Sequence, residues 1–431
     1  MKDTQEVSPN YKWQVVGMLW FMAFFNYADR QAITTVFPLI KAEMSLTNEQ
    51  IGYIGAAFAW IYGLAAPFAG AVVDRVRRKT AILVGLIAWS LICIATAGSK
   101  TFSHLMFWRA AEGLGESFYF PAAMSLTSDY HGKETRSRAM AIHQTSVYVG
   151  SIAGGAFSGL IGQHFGWRWS FVVFGSLGVM LGIILWQKLR EPRRGAADLK
   201  DVGADDAHVA AKVSFAEFLN IVATTPTVLI LLCAFLCANF VAAILLIWMP
   251  SYLTEKFGFS LAEAGLGATM SVQLASMVSV VLGGYLADKF RKTTTRGRIG
   301  VQMAGLLLGA PFVVLCGMTT EVLWLMVALS AWGFFKGLYD ANIFASVFDV
   351  VRPEARGSVA GFMNCIGWLG GAGTAPIIVG KLAEKYSLGT AIALGSVVYL
   401  LGAVLLLVGM VFFVKRDVER MQSALVADAK S

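Results

Sequence analysis

Two stretches of this chain carry the same phrase. Gly70 to Lys79 reads Gly-Ala-Val-Val-Asp-Arg-Val-Arg-Arg-Lys, and Gly284 to Lys292 reads Gly-Tyr-Leu-Ala-Asp-Lys-Phe-Arg-Lys. Aligned on Asp74 and Asp288, the copies lie 214 residues apart, about half of the 431-residue chain. In both, a long apolar run ends in a small residue, an acid and a burst of cations. An internal repeat of this length settles architecture before local propensity does.

What is repeated is set by apolar runs of roughly 20 residues, each long enough to cross about 30 Å of hydrocarbon. Twelve such runs lie near 12–37, 51–73, 80–98, 104–129, 137–162, 169–189, 226–253, 261–287, 298–318, 322–349, 357–384 and 389–414. The chain is 57% hydrophobic and 14% charged, with mean hydropathy +0.63, far from the quarter or so of charged residues in soluble domains. The expected fold class is an all-α membrane protein, its twelve helices forming two pseudo-symmetric six-helix bundles. The expected domains are 1–189, a linker at 190–225, a second bundle at 226–414 and a cytoplasmic tail at 415–431.

The formal charge of +8 does not form a nucleic-acid-binding face, because the cations sit in alternate loops. One set of loops holds Arg75, Arg77, Arg78 and Lys79; Lys133, Arg136 and Arg138; Lys188, Arg190, Arg193 and Arg194; Lys289, Arg291, Lys292, Arg296 and Arg298; and Arg352 and Arg356. The opposite loops hold little beyond Lys41, Lys100, Arg168, Lys256, Lys381 and Lys385. The positive-inside rule then places both termini and the long 190–225 loop in the cytoplasm; the expected location is the plasma membrane, the inner one in a Gram-negative cell. The first apolar run is full length and follows a polar start, so it reads as helix 1. The five cysteines (Cys93, Cys233, Cys237, Cys316, Cys365) all fall in apolar segments without companion ligands, which predicts packing rather than disulfides or a metal site.

Residues 190–225 suit a solvated linker, with a short amphipathic helix around Phe215 to Ile221. A second internal match, Glu134-Thr-Arg136-Ser-Arg138 with Glu354-Ala-Arg356-Gly-Ser358, lies at an offset of 220 and follows the fourth helix of each half.

The duplicated Gly-x-x-x-Asp-[Arg/Lys]-x-Arg-[Arg/Lys] resembles the signature of the major facilitator superfamily of secondary transporters. Helix 4 adds Leu105-x-x-x-Arg109-x-x-Glu112-Gly113-x-Gly115, similar to that superfamily's second motif, with Glu112 where a glutamine is commoner. The resemblance gives the loop motif a task. Asp74, Arg75 and Arg78, with Asp288 and Arg291, would clamp helix ends as a conformational latch; the alternative is a set of cations that only fixes topology.

Ionisable groups at membrane depth are costly, and each is a functional candidate. Helix 1 carries Asn26-Tyr27-Ala28-Asp29-Arg30, and helix 4 carries Arg109, Glu112 and Glu116 on one face. Helix 10 has Lys336 and Asp340 four apart, and the 220-residue offset maps Glu116 onto Lys336. Protonation of Glu116 or Asp29 would free Arg30 to hold an anion; the competing reading is permanent ion pairs, Arg30 with Glu116 and Lys336 with Asp340.

Asn26-Tyr27-x-Asp29-Arg30, with Gly113-x-Gly115-Glu116 and Phe120-Pro121-Ala122, resembles the anion:cation symporters, which carry sugar acids and other carboxylates with protons. The resemblance implies proton coupling at Asp29 and Glu116 and anion binding at Arg30. Arg190-Glu191-Pro192-Arg193-Arg194-Gly195 resembles spinster-like lipid transporters instead. Tyr62, His143, Gln144, Lys336, Asp340 and Asn364 complete the expected substrate contacts. Tyr27, Tyr148, Asn239, Gln273, Tyr339, Asn342 and Trp368 are further candidates for the cavity wall. Glycines on helix 5 (Gly150, Gly154, Gly155, Gly159) and helix 11 (Gly367, Gly370, Gly371, Gly373) predict close helix approach.

A catalytic constellation and a phosphate-cradling glycine loop are both missing from the sequence, so neither an enzyme nor an ATP-driven pump is expected. The expectation is proton-coupled symport of an organic anion by alternating access, with the proton gradient as energy source and no cofactor or metal. The partners are a small anionic substrate and the bilayer, not nucleic acid, and the assembly is a monomer. The alternatives are a spinster-like carrier of lysolipids and a transporter-like sensor.

Overall fold

The computed structural model describes residues 10–73, 75–132, 135–192, 215–352 and 356–428. Asp74, Glu134, Glu354, Arg193 to Gly195 and most of the linker lie outside the described residues.

The first six helices are helix 1 (Tyr11–Met44), helix 2 (Asn48–Val73), helix 3 (Arg78–Thr96), helix 4 (Phe102–Ser117, continued by Tyr119–Tyr130), helix 5 (Arg136–Phe165) and helix 6 (Trp167–Lys188). A short helix, Phe215–Thr224, precedes helix 7 (Pro226–Phe257), helix 8 (Leu261–Arg291) and helix 9 (Gly297–Met318). Helix 10 is Val322–Asp340 continued by Ile343–Phe348. Helix 11 runs through Arg356–Ile366, a π-helical Gly367–Ala372 and Ala375–Lys385. Helix 12 is Leu388–Val408 and continues through Gly409–Phe413 into an amphipathic tail helix, Val414–Asp428.

The pairings repeat between halves. Helix 1 packs on 5, 2 on 4 and 3 on 6; correspondingly 7 packs on 11, 8 on 10 and 9 on 12. The halves meet through two further mates of the same symmetry, helix 2 on 11 and helix 8 on 5. This is the twelve-helix, two-bundle fold.

Nine helices among the described residues are long and apolar enough to cross a membrane. The long helices outside that set are 1, 4 and 5. Helix 4 is diluted by Arg109, Glu112, Glu116 and Asp129, and helices 1 and 5 by polar residues such as Asp29, Arg30, His143 and Gln144. The elements that spend apolar character are the ones that carry chemistry.

Three spans expected to be continuous are interrupted, each for a local reason. In helix 4, Pro121 has no N–H and its ring conflicts with the carbonyl of Ser117, which ends the first segment. Pro376 acts in the same way on Ala372, at the end of the π-helical turn. In helix 10, the Asn342 side chain donates to the Leu338 carbonyl (3.2 Å), while its own N–H falls back to Tyr339.

The expected glycine contacts fix where the charged helices lie. A Cβ on Gly154 would enter the backbone of Ala28, and one on Gly113 would lie 2.6 Å from the Phe58 carbonyl oxygen. Helix 5 therefore sits directly against the Asp29–Arg30 turn, and helix 4 against the helix 2 aromatics.

Candidate substrate cavity and its charges

Between the halves lies a cavity of about 350 Å³. Helices 1, 2, 4 and 5 contribute Tyr27, Arg30, Phe58, Arg109, Gln144 and Tyr148. Helices 7, 8, 10 and 11 contribute Asn239, Gln273, Lys336, Asp340 and Trp368, together with an apolar wall from Phe235 to Ile247. Aromatic and apolar surface with a few placed polar groups is the usual make-up of a small-molecule site.

Arg30 is the focus of one wall. Its Nε donates to Glu116 Oε2 at 2.5 Å, and its guanidinium lies 4.7–4.8 Å from the rings of Phe58, Tyr27 and Tyr62 and 5.5 Å from that of Trp368. Three of those rings come from the first half and one from the second. Cation–π contacts of this kind contribute about 0.5–2 kcal/mol each, enough to hold the guanidinium in place if its carboxylate partner is neutralised. Tyr62 thus acts behind Arg30 rather than on the cavity wall.

Behind Arg30 the charges continue inward. Glu116 is fully buried, and its second oxygen has no hydrogen-bond partner. Arg109 pairs with Glu112 and lies 5.0 Å from the Phe58 ring. Asp29 is 1% exposed, has the Cys93 thiol beside its carboxylate, and lies among the charges of Arg109, Glu112 and Glu116. Helices 1 and 4 thus bury three carboxyls with two guanidinium groups.

Lys336 and Asp340 pair on the wall that the second half supplies. Besides Tyr62, two more expected contacts lie off the cavity wall. His143 is buried against Tyr119, whose hydroxyl donates to the Leu19 carbonyl (2.7 Å) and meets His143 Nε2 at 2.8 Å. That bond ties helices 1, 4 and 5 together away from the cavity. Asn364 is on helix 11 but does not line the cavity. No group of three or more potential metal ligands occurs among the described residues.

The latch residues resolve into a duplicated pair. Arg78, at the start of helix 3, bridges to Asp129 at the end of helix 4. Arg298, at the start of helix 9, bridges to Asp349 after helix 10 (2.8 Å) and to Asp288 (3.1 Å). Arg291 also reaches Asp349, at 3.3 Å, and Arg75 is exposed. The sequence reading missed Asp129, Asp349 and Arg298 as partners, although one offset of 220 relates Arg78 to Arg298 and Asp129 to Asp349. It also missed Glu191, whose carboxylate accepts from the backbone N–H of Arg78 (2.8 Å) and Lys79 (2.6 Å), capping helix 3.

Among the described residues, the ion pairs that join the two halves lie on the face opposite the termini. Lys41 meets Glu255 at 3.0 Å and Lys381 meets Glu49 at 3.2 Å; beside them Gly159 abuts Leu261 and Gly380 abuts Asn48. Among the described residues on the terminus-bearing face, Arg78–Asp129, Arg291–Asp349 and Arg298 with Asp288 and Asp349 each lie within one half.

Residues 19–375 match the Major Facilitator Superfamily. The chain belongs to that superfamily. It is a membrane transporter, not an enzyme. Within the superfamily it is 26% identical over 410 residues to a probable galactarate/D-glucarate transporter of Bacillus subtilis (strain 168), covering 89% of each chain. It is also 26% identical over 410 residues to a D-galactonate transporter of Escherichia coli, covering 91% of this chain and 94% of that one. Among solved structures, a bacterial homologue of the human lysosomal transporter spinster, inward-facing and unoccupied, superposes with a TM-score of 0.85 at 22% identity, covering 95% and 99% of the two chains. That likeness is one of fold.

Proposed function

We propose that this superfamily member is a proton-coupled symporter of an organic anion, a sugar acid or a related carboxylate. The observation that carries this reading is Arg30, seated on the cavity wall in an aromatic cage and paired with a carboxylate that water does not reach. The buried cluster of Asp29, Glu112 and Glu116 against Arg30 and Arg109 holds one more acid than base, and one proton makes it neutral. An anion arriving at Arg30 displaces Glu116, and a second proton compensates that loss. Substrate and proton therefore stabilise each other's binding. The relatives that carry galactarate, glucarate and galactonate support this class of cargo.

With the termini cytoplasmic, as the loop cations favour, the clasp of Lys41–Glu255 and Glu49–Lys381 closes the outer face, and the conformation is inward-open. Asp288, Arg291 and Arg78, with Asp74 and Arg75, then act as the inner latch during outward opening. We place the transporter in the plasma membrane as a monomer.

The test is uptake into proteoliposomes under an imposed pH gradient across sugar acids, small carboxylates and lysolipids. Gradient-dependent accumulation of a carboxylate is expected. Lysolipid flux alone would move the reading to the amphiphile class, for which the apolar wall of helix 7 (Phe235, Ala242, Leu246) gives some support. No gradient-dependent flux with any compound would sink the coupling.

A further inference from the structure

Two cations line the cavity with partners they can leave, and they differ in what leaving exposes. Arg30 leaves Glu116, which is 0% exposed; Lys336 leaves Asp340, which is 38% exposed and lines the cavity itself. A bare Glu116 needs a proton, whereas a bare Asp340 is solvated by water entering the cavity. The third cation on the wall, Arg109, is 4% exposed and held by the buried Glu112, so it is not available to a ligand.

We propose that Lys336 is a second anion-binding pole, so that the cavity takes an anion with an acidic group at each end of a short hydroxylated chain. Asp340 parks the lysine while the cavity is empty. This deepens the organic-anion reading above and rests on it.

A helix-stabilising role accounts poorly for the pair. Lys followed by an acid four residues later is the less favourable order for supporting a helix, and the pair faces a cavity rather than bulk solvent. Pairs with partial exposure contribute little and break cheaply. The dimensions also agree: a cavity of about 350 Å³ is roughly 9 Å across if round. A six-carbon chain spans roughly 6 Å between terminal carbons at ordinary bond lengths. Gln144, Tyr148, Asn239 and Gln273 line the same cavity and offer amide and hydroxyl partners to a polyol backbone.

The experiment compares a six-carbon aldonate, with one carboxylate, and the matching aldarate, with two. Binding to the purified full-length protein is followed by tryptophan fluorescence and counterflow into proteoliposomes. Lys336→Gln is expected to lower the ratio of aldarate to aldonate affinity at least about tenfold, the scale of one charge-assisted contact. Lys336→Arg, which keeps the charge, is expected to recover most of that ratio and guards against a variant that is simply misfolded. An unchanged ratio in Lys336→Gln, or a wild type that binds aldonate and rejects aldarate, overturns the second pole and leaves the organic-anion reading standing. A wild type that binds no organic anion overturns both.

Discussion

The two halves share a fold and divide the chemistry unequally. Helices 1 and 4 bury Asp29, Arg30, Arg109, Glu112 and Glu116, all at most about one-eighth exposed. Helix 7, the mate of helix 1, carries no charged residue from Pro226 to Thr254, and helix 10 carries one cavity pair that is partly exposed. The first half holds carboxyls that water does not reach; the second supplies an apolar wall, Trp368 and a looser cation. Duplication provides two bundles of one fold, and the first of them holds a cluster of charges away from water.

Glu116→Gln is the hardest test of that division. Gradient-driven accumulation is expected to fall to background while exchange of substrate across the membrane continues. Accumulation at the wild-type level would remove helix 4 from coupling and break the comparison. Next in size, Arg30→Gln is expected to weaken carboxylate binding about 10- to 100-fold, from the loss of one charge-assisted contact. A larger loss for a monocarboxylate in Lys336→Gln than in Arg30→Gln would invert the roles of the two walls.

The duplicated loop pairs sharpen the comparison on stability. Arg78 and Asp129 are 13% and 5% exposed, against 24% and 19% for Arg298 and Asp349. Removing one partner of the more buried pair strands a charge, so Arg78→Gln is expected to cost about 3 kcal/mol and Arg298→Gln about 1 kcal/mol. The check is the thermal unfolding midpoint in detergent, with the larger drop for Arg78→Gln; equal drops would mean that burial does not separate the halves there. The smallest effect belongs to the outer clasp. Lys41→Ala and Lys381→Ala are each expected to loosen the clasp only slightly, because exposed pairs contribute little, read as a modest rise in alkylation of a cysteine introduced beside Gly159. A fall in labelling would reverse the assignment of the closed face.

Helix count, the two-bundle plan and the Arg30–Glu116 and Lys336–Asp340 pairings follow from apolar run length and charge placement. Both are local properties with a fixed period, and the cost of ionised groups in hydrocarbon leaves them few partners. His143 looked like a cavity residue because it is a histidine inside a span; its partner Tyr119 is on another helix, and rotation about the helix axis decides which way the imidazole faces. The breaks in helices 4 and 11 could have been seen at Pro121 and Pro376, but the break in helix 10 depends on where the Asn342 side chain goes.

The sequence by itself determined the membrane fold, the duplication and the set of ionisable groups held at depth, because hydrophobic length and charge cost are properties of the chain. The tertiary structure alone decided which of those groups reach the cavity. It set Arg30 on the wall with Glu116 and Asp29 sealed behind it, and it left Lys336 and Asp340 open to water. Burial belongs to the packing of several helices together, and in this protein burial separates a carboxylate sealed from the cavity, Glu116, from one that lines it, Asp340.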